Sequence, residues 1–182
     1  MLKHAGFTLI ELVIGLVVLA LVLVGFSALL VPNQQQATQT WQQVRAAELA
    51  HSLLNEITAR SFDENSDRSG SGLRCGETGA SSCIASLPSC PSSGMSSSTE
   101  ESSRASYDDV DDYHCLRADG SSFADLLGAD VAADYSGYQV SIVVSYAGTS
   151  VGMANTLVKK INLTVQTPTA LSIEFTALKG NW

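Results

Sequence analysis

The chain opens on an almost unbroken apolar run. Between residues 7 and 31 only Thr8, Glu11 and Ser27 are polar. At about 1.5 Å per helical residue the run spans ~37 Å, more than a hydrocarbon core of ~30 Å. The pattern therefore predicts a transmembrane helix over 7–31. Residues 1–6 precede it, and Lys3 among them predicts a cytoplasmic N-terminus, with the bulk of the chain exported. An ordinary secretory signal peptide is the plainer alternative. Its apolar core, however, is only about 7 to 15 residues long, and no A-x-A cleavage site follows here.

Beyond Pro32 a polar patch at 33–36 leads into a second helical pattern. Ala46, Leu49, Ala50, Leu53 and Ile57 recur at three- and four-residue steps, with Trp41, Val44 and Leu54 alongside, a stripe suited to covering a sheet. The helix is expected to continue over 32–61. His51 reads as a surface or rim residue, and Trp41 as core or packing interface rather than a binding platform.

The last third alternates with period two. Val140, Ile142, Val144 and Tyr146 share one face; Leu157, Ile161, Leu163 and Val165 do the same opposite Lys160, Asn162 and Thr164; Leu171, Ile173 and Phe175 complete the set. Three antiparallel strands follow from this, with a Gly-containing hairpin loop at 147–155 and a turn at Pro168. The fold class expected is α+β, one long helix packed on an antiparallel meander within 107–182.

Between helix and sheet the pattern dissolves. Residues 66–106 hold 15 Ser and 5 Gly in 41 positions, and no aromatic residue stands between Phe62 and Tyr107. Such a stretch buries too little apolar area to offset a backbone ordering cost of about 1 to 2 kcal/mol per residue. Residues 62–106 therefore read as a variable loop that needs cross-links. Cys75, Cys83, Cys90 and Cys115 are even in number and lack paired zinc spacing, so two disulfides fit better than a metal site. That implies export, and three pairings are open.

With 182 residues the chain has room for one domain plus an anchor and a loop. Its net charge of −8 excludes a general nucleic-acid binder, since phosphate affinity needs cations. The acidity is local: residues 100–134 carry ten acids against two bases. Within them Asp108, Asp109, Asp111 and Asp112 read as a solvated acidic loop, with a non-EF calcium site as the alternative. Separately, Asp63, Asn65 and Asp67 have the first alternating ligands of a calcium loop, but the EF-hand form fails because Arg68 and Arg74 stand where a glycine and a bidentate glutamate belong.

Gly148-Thr149-Ser150-Val151-Gly152 matches the G-x-S-x-G pattern of hydrolase nucleophiles. No histidine follows Ser150 and an alternating strand comes next, so the segment reads as a hairpin loop and no catalysis is expected.

Glu11 is what a plain anchor leaves unexplained. A carboxylate near the centre of an inserted helix costs about 2.5 to 3.5 kcal/mol on insertion scales, and less near its end. Cleavage after Gly6 would create an ammonium on Phe7, one turn before Glu11. Two staggered helices then bring the ammonium of one against the carboxylate of the next.

Gly6-Phe7-Thr8-Leu9-Ile10-Glu11-Leu12 with its apolar run resembles the N-terminal signature of type IV pilins and type II secretion pseudopilins. The resemblance implies that an inner-membrane prepilin peptidase cleaves between Gly6 and Phe7 and methylates Phe7. It also implies that Glu11 supports assembly with other pilin subunits on an inner-membrane platform, without a cofactor. Major pilins commonly carry proline at the position of Ala28, whereas here the nearest is Pro32. No cysteine follows Cys115, so a C-terminal disulfide of the kind many pilins have is absent. A second set of stretches, Val44-Arg45-Ala46-Ala47-Glu48-Leu49, Ser52-Leu53-Leu54-Asn55-Glu56-Ile57, Phe62-Asp63-Glu64-Asn65-Ser66-Asp67, Cys75-Gly76-Glu77 and Asp109-Val110-Asp111-Asp112-Tyr113-His114, resembles minor pilins of the mannose-sensitive haemagglutinin (MSHA) pilus. A minor type II secretion pseudopilin and a non-polymerising single-pass protein with an exported binding domain are the alternatives.

Overall fold

The computed structural model describes residues 6, 8–66, 72–91, 101, 104–119 and 133–182, with the side chains of 28–37 left aside. Among the described residues one α-helix, α1, runs Leu9–Ala59. Four strands follow among the described residues: β1 Arg117–Asp119, β2 Gln139–Tyr146, β3 Val158–Gln166 and β4 Ser172–Gly180. They form one sheet in the order β1-β2-β3-β4, every neighbouring pair antiparallel. This is the α+β, pilin-like arrangement expected from the sequence. The short strand β1, which pairs Arg117 with Ser141, was not foreseen. With three residues it carries no readable alternation.

The chain divides into two compact units, 1–41 and 42–182. In the first, the described side chains of the apolar stretch Leu9–Ser27 are all exposed. Trp41, expected in a core or interface, is also exposed.

In the second unit Ala46, Leu49, Ala50, Leu53 and Ile57 are buried, as their spacing along α1 predicts. They share a core with Val140, Ile142 and Val144 of β2 and Ile161, Leu163 and Val165 of β3. Each fully buried Leu, Ile or Val contributes about 1.5 to 3 kcal/mol relative to exposure. Ile173, Phe175 and Ala177 of β4 pack half-buried against the same cluster. His51 is exposed and rests beside the Phe175 ring, with centroids 6.4 Å apart.

Several details differ from the pattern: Val44 of the helical stripe and Leu171 before β4, both expected to be covered, are exposed. Leu157, expected on the inward face, is exposed in a 3-10 turn just before β3. The inward place two residues before Ile161 belongs instead to Lys159, which is fully buried.

Within the Ser/Gly-rich loop residues 72–91 have no regular secondary structure, and Arg104–Ser106 form a 3-10 turn. Cys75 pairs with Cys83 and Cys90 with Cys115, so the second bridge ties the loop to the segment before β1. Polar bonds add to the cross-links. Asn181 donates to the Cys75 carbonyl at 3.0 Å, Asn65 to the Ser82 carbonyl at 3.1 Å, and the Tyr146 hydroxyl to the Ile84 carbonyl.

Candidate functional site

At the N-terminus the sequence sets its own helix start. The Thr8 hydroxyl accepts the Glu11 N–H at 3.4 Å and the Thr8 carbonyl accepts the Leu12 N–H at 3.2 Å, which makes Thr8 the N-cap. Thr8-Leu9-Ile10-Glu11 has the spacing of a capping box, a signal the sequence reading passed over. Glu11 lies in the first turn, where unpaired N–H groups and the helix dipole favour a carboxylate. Phe7, the expected methylation site, lies outside the described residues.

The three polar residues of the apolar run fare differently. Thr8 caps the helix, and the Ser27 hydroxyl donates to the Leu23 carbonyl at 2.8 Å. Such back-bonding satisfies a hydroxyl within its own helix, which a hydrocarbon environment demands. The Glu11 carboxylate, by contrast, has no ion-pair or hydrogen-bond partner among the described residues. Gly6 is exposed, and a Cβ placed on it would meet nothing within 4 Å. Packing within the chain therefore sets no demand for glycine at that position.

The acidic segment corrects the expectation of a solvated loop. Asp109, Asp111 and Asp112 are buried, and Asp108 is half-buried. Lys159 Nζ sits 3.1 Å from Asp63 Oδ2 and 2.5 Å from Asp111 Oδ2, and donates to the Phe62 carbonyl at 2.6 Å. The Phe62 ring centroid lies 4.4 Å from the same nitrogen. Three elements that sequence separates are thereby joined: the segment after α1, the 3-10 turn Asp111–Tyr113, and β3. The cation that compensates Asp111 is a side chain of this protein.

The other two carboxylates organise backbone. Asp109 Oδ1 accepts the N–H groups of Asp111 and Asp112 at 2.7 and 3.2 Å. Asp112 Oδ2 accepts those of Asp108 and Asp109 at 2.8 and 3.1 Å. Burial, with the neighbouring charges of Asp111 and Asp112, pushes the Asp109 carboxyl up to about 7. Burial also raises Asp111, while Lys159 opposes the shift. Asp109 Oδ2 and Asp111 Oδ1 remain buried without a hydrogen-bond partner among the described residues.

A second polar cluster went unread in the sequence. Glu56 on α1 accepts Arg104 at 2.8 Å and the Tyr113 hydroxyl at 2.8 Å, with Arg60 at 3.7 Å. Burial first, then the bonded Glu56 carboxylate, pushes the Tyr113 phenol up to about 12.

Cysteine-containing groupings are not metal sites. Cys90 and Cys115 stand with His114, and Cys75 and Cys83 with Asp63, but all four sulfurs are spent in disulfides. His114 is engaged on both nitrogens: Nδ1 accepts the Val144 N–H at 3.1 Å, and Nε2 lies 2.7 Å from the Pro88 carbonyl. Residues 148–151 form a 3-10 turn between β2 and β3 in which the Ser150 hydroxyl donates to the Ala147 carbonyl, so no strand-to-helix nucleophile turn exists there.

Compared with known proteins, residues 1–27 match the family model of the prokaryotic N-terminal methylation motif. No curated protein and no solved structure matches the chain. The motif supports a type IV pilin or pseudopilin. It implies processing by a prepilin peptidase and assembly with other pilins in the membrane. An apolar N-terminal helix carrying it fits an anchored inner-membrane pilin, and the signature suggests a structural, non-enzymatic protein.

Proposed function

We propose that the chain is a minor pilin of an MSHA-type type IV pilus, which inserts with its N-terminus cytoplasmic and matures into a subunit of an extracytoplasmic filament for surface attachment. The peptidase cuts between Gly6 and Phe7, and the new amine on Phe7 is methylated. In the assembled bundle that amine neutralises Glu11 of a neighbouring subunit, setting the stagger between helices. One observation carries the assembly step: Glu11 is the polar residue of the apolar run whose side chain finds no partner within the described chain, while Thr8 and Ser27 do. Glycine at position 6, which packing does not demand, is accounted for by recognition in the peptidase.

The MSHA assignment rests on the resemblance of the stretches at 44–49, 52–57, 62–67, 75–77 and 109–114. Low aromatic content and the long loop favour a minor component, and retention of Glu11 disfavours a role confined to the tip. The mass of the mature N-terminal peptide tests processing. A peptide beginning at methylated Phe7 supports the proposal, and an intact Met1 start in cells with active peptidase contradicts it.

A further inference from the structure

One oxygen from each of the Glu64, Asp108 and Asp109 carboxylates falls within 4.8 Å of the other two, close enough for a single cation to touch all three. The segments that bring them together are paired through backbone: the Ser61 N–H donates to the Asp108 carbonyl, and the Val110 N–H to the Ser61 carbonyl, both at 3.1 Å. Glu64 approaches from the turn after α1, Asp108 and Asp109 from the segment before the 3-10 turn. Crowding of like charges alone would not make a site. The second observation is Asp109, whose side chain is fully buried. Its Oδ1 is taken by two N–H groups, whereas its Oδ2 is sealed from water with no hydrogen-bond partner.

Lys159 does not meet this need. Its ammonium is committed to Asp63, Asp111 and the Phe62 carbonyl, and it makes no bond to Asp109.

We propose that Glu64, Asp108 and Asp109 bind one calcium ion, with Asp109 supplying the buried Oδ2 and water completing the shell on the exposed Glu64 side. Three hard carboxylate oxygens with an open face suit Ca²⁺, which takes six to eight oxygen ligands at flexible geometry, better than Mg²⁺, which demands a near-ideal octahedron. Few protein ligands and an open side place the site in the weak class of extracellular modules, with a dissociation constant of about 10⁻⁴ to 10⁻³ M. The ion would clamp the turn after the long helix to the segment leading into the sheet. Binding itself does not depend on the pilin assignment.

The test uses the full chain in detergent micelles at physiological ionic strength, stripped with chelator. It is titrated with Ca²⁺ alone by calorimetry, and with Tb³⁺ by luminescence sensitised through Tyr107, the residue next to Asp108. Expected are a single site, Tb³⁺ emission displaced by Ca²⁺, and a melting temperature that rises with Ca²⁺. Glu64→Gln should weaken binding at least about tenfold, and Asp109→Asn should abolish it. Because Asp109 is buried, Glu64→Gln at an exposed side chain keeps the result separate from any folding defect. Asp134→Asn, in the same acidic stretch, should leave affinity unchanged. Silence up to about 10 mM Ca²⁺ overturns the proposal. So does equal weakening by Glu64→Gln and Asp134→Asn, which would mean diffuse attraction.

Discussion

The ammonium of Lys159 and the carboxylate of Asp63 lie 3.1 Å apart with both side chains completely withdrawn from water. Desolvating two charges costs several kcal/mol each, and their attraction offsets this only where further bonds satisfy both groups. Here Asp111 and the Phe62 carbonyl complete the ammonium, while the Ile84 N–H donates to Asp63 Oδ2 at 3.0 Å. Lys159→Met should therefore cost about 3 to 5 kcal/mol, because it strands two buried carboxylates. Urea unfolding of the full chain measures the loss. Adding Asp63→Asn and Asp111→Asn to the same variant should recover part of it, and strict additivity would contradict the coupling.

Glu11→Ala should leave cleavage intact and remove the subunit from filaments. Breaking a desolvated pair costs several kcal/mol, and about 1.4 kcal/mol already shifts an equilibrium tenfold, so incorporation should fall at least about tenfold. Immunoblots of sheared filaments against the membrane fraction give the ratio; normal incorporation would remove the assembly role.

Gly6→Val should block processing while leaving the fold alone, since the added side chain has open space around it. The readout is retention of the unprocessed form beside an unchanged circular dichroism spectrum.

The two disulfides should differ in weight. In the loop-entropy model the bridge closing 25 residues constrains the unfolded chain by about 1 kcal/mol more than the bridge closing 8. Paired serine replacements at Cys90 and Cys115 should therefore lower the melting temperature further than those at Cys75 and Cys83. The reverse order would show that native-state contacts dominate.

Tyr113 supplies a pH dependence. Its phenol is raised from 10.0 to about 12, so the folded state holds the proton more tightly than the unfolded chain does. That stability is fully present below pH 10 and is lost between about pH 10 and 12, amounting to about 2 to 3 kcal/mol at most. Thermal melts across this window should fall more steeply for the wild type than for Tyr113→Phe, which lacks the titrating group but loses the Glu56 bond.

The helix and the sheet were legible because their signals are local. Ala46, Leu49, Ala50, Leu53 and Ile57 declare a buried stripe at helical spacing, and the alternation in β2 and β3 declares an inward face. The same alternation, followed strictly, also points Lys159 inward in phase with Ile161, Leu163 and Val165. Charge made that step easy to skip, since lysine is almost never buried unless paired. Glu11 stood out because an acid in an apolar run has an evident cost, and the Thr8 cap, though local, needed the helix start to be known first.

Sequence alone thus determined the apolar helix, its anomalous carboxylate, the amphipathic continuation and the strand faces, all properties of residues within a few positions of one another. Tertiary structure decided which cysteines join, that the acidic segment is interior rather than solvated, and that Asp63, Asp111 and Lys159 meet. Those residues lie 48 and 96 positions from Lys159 along the chain. No local periodicity encodes such a meeting. It arises only when the sheet closes on the helix and each buried charge must find its counterpart.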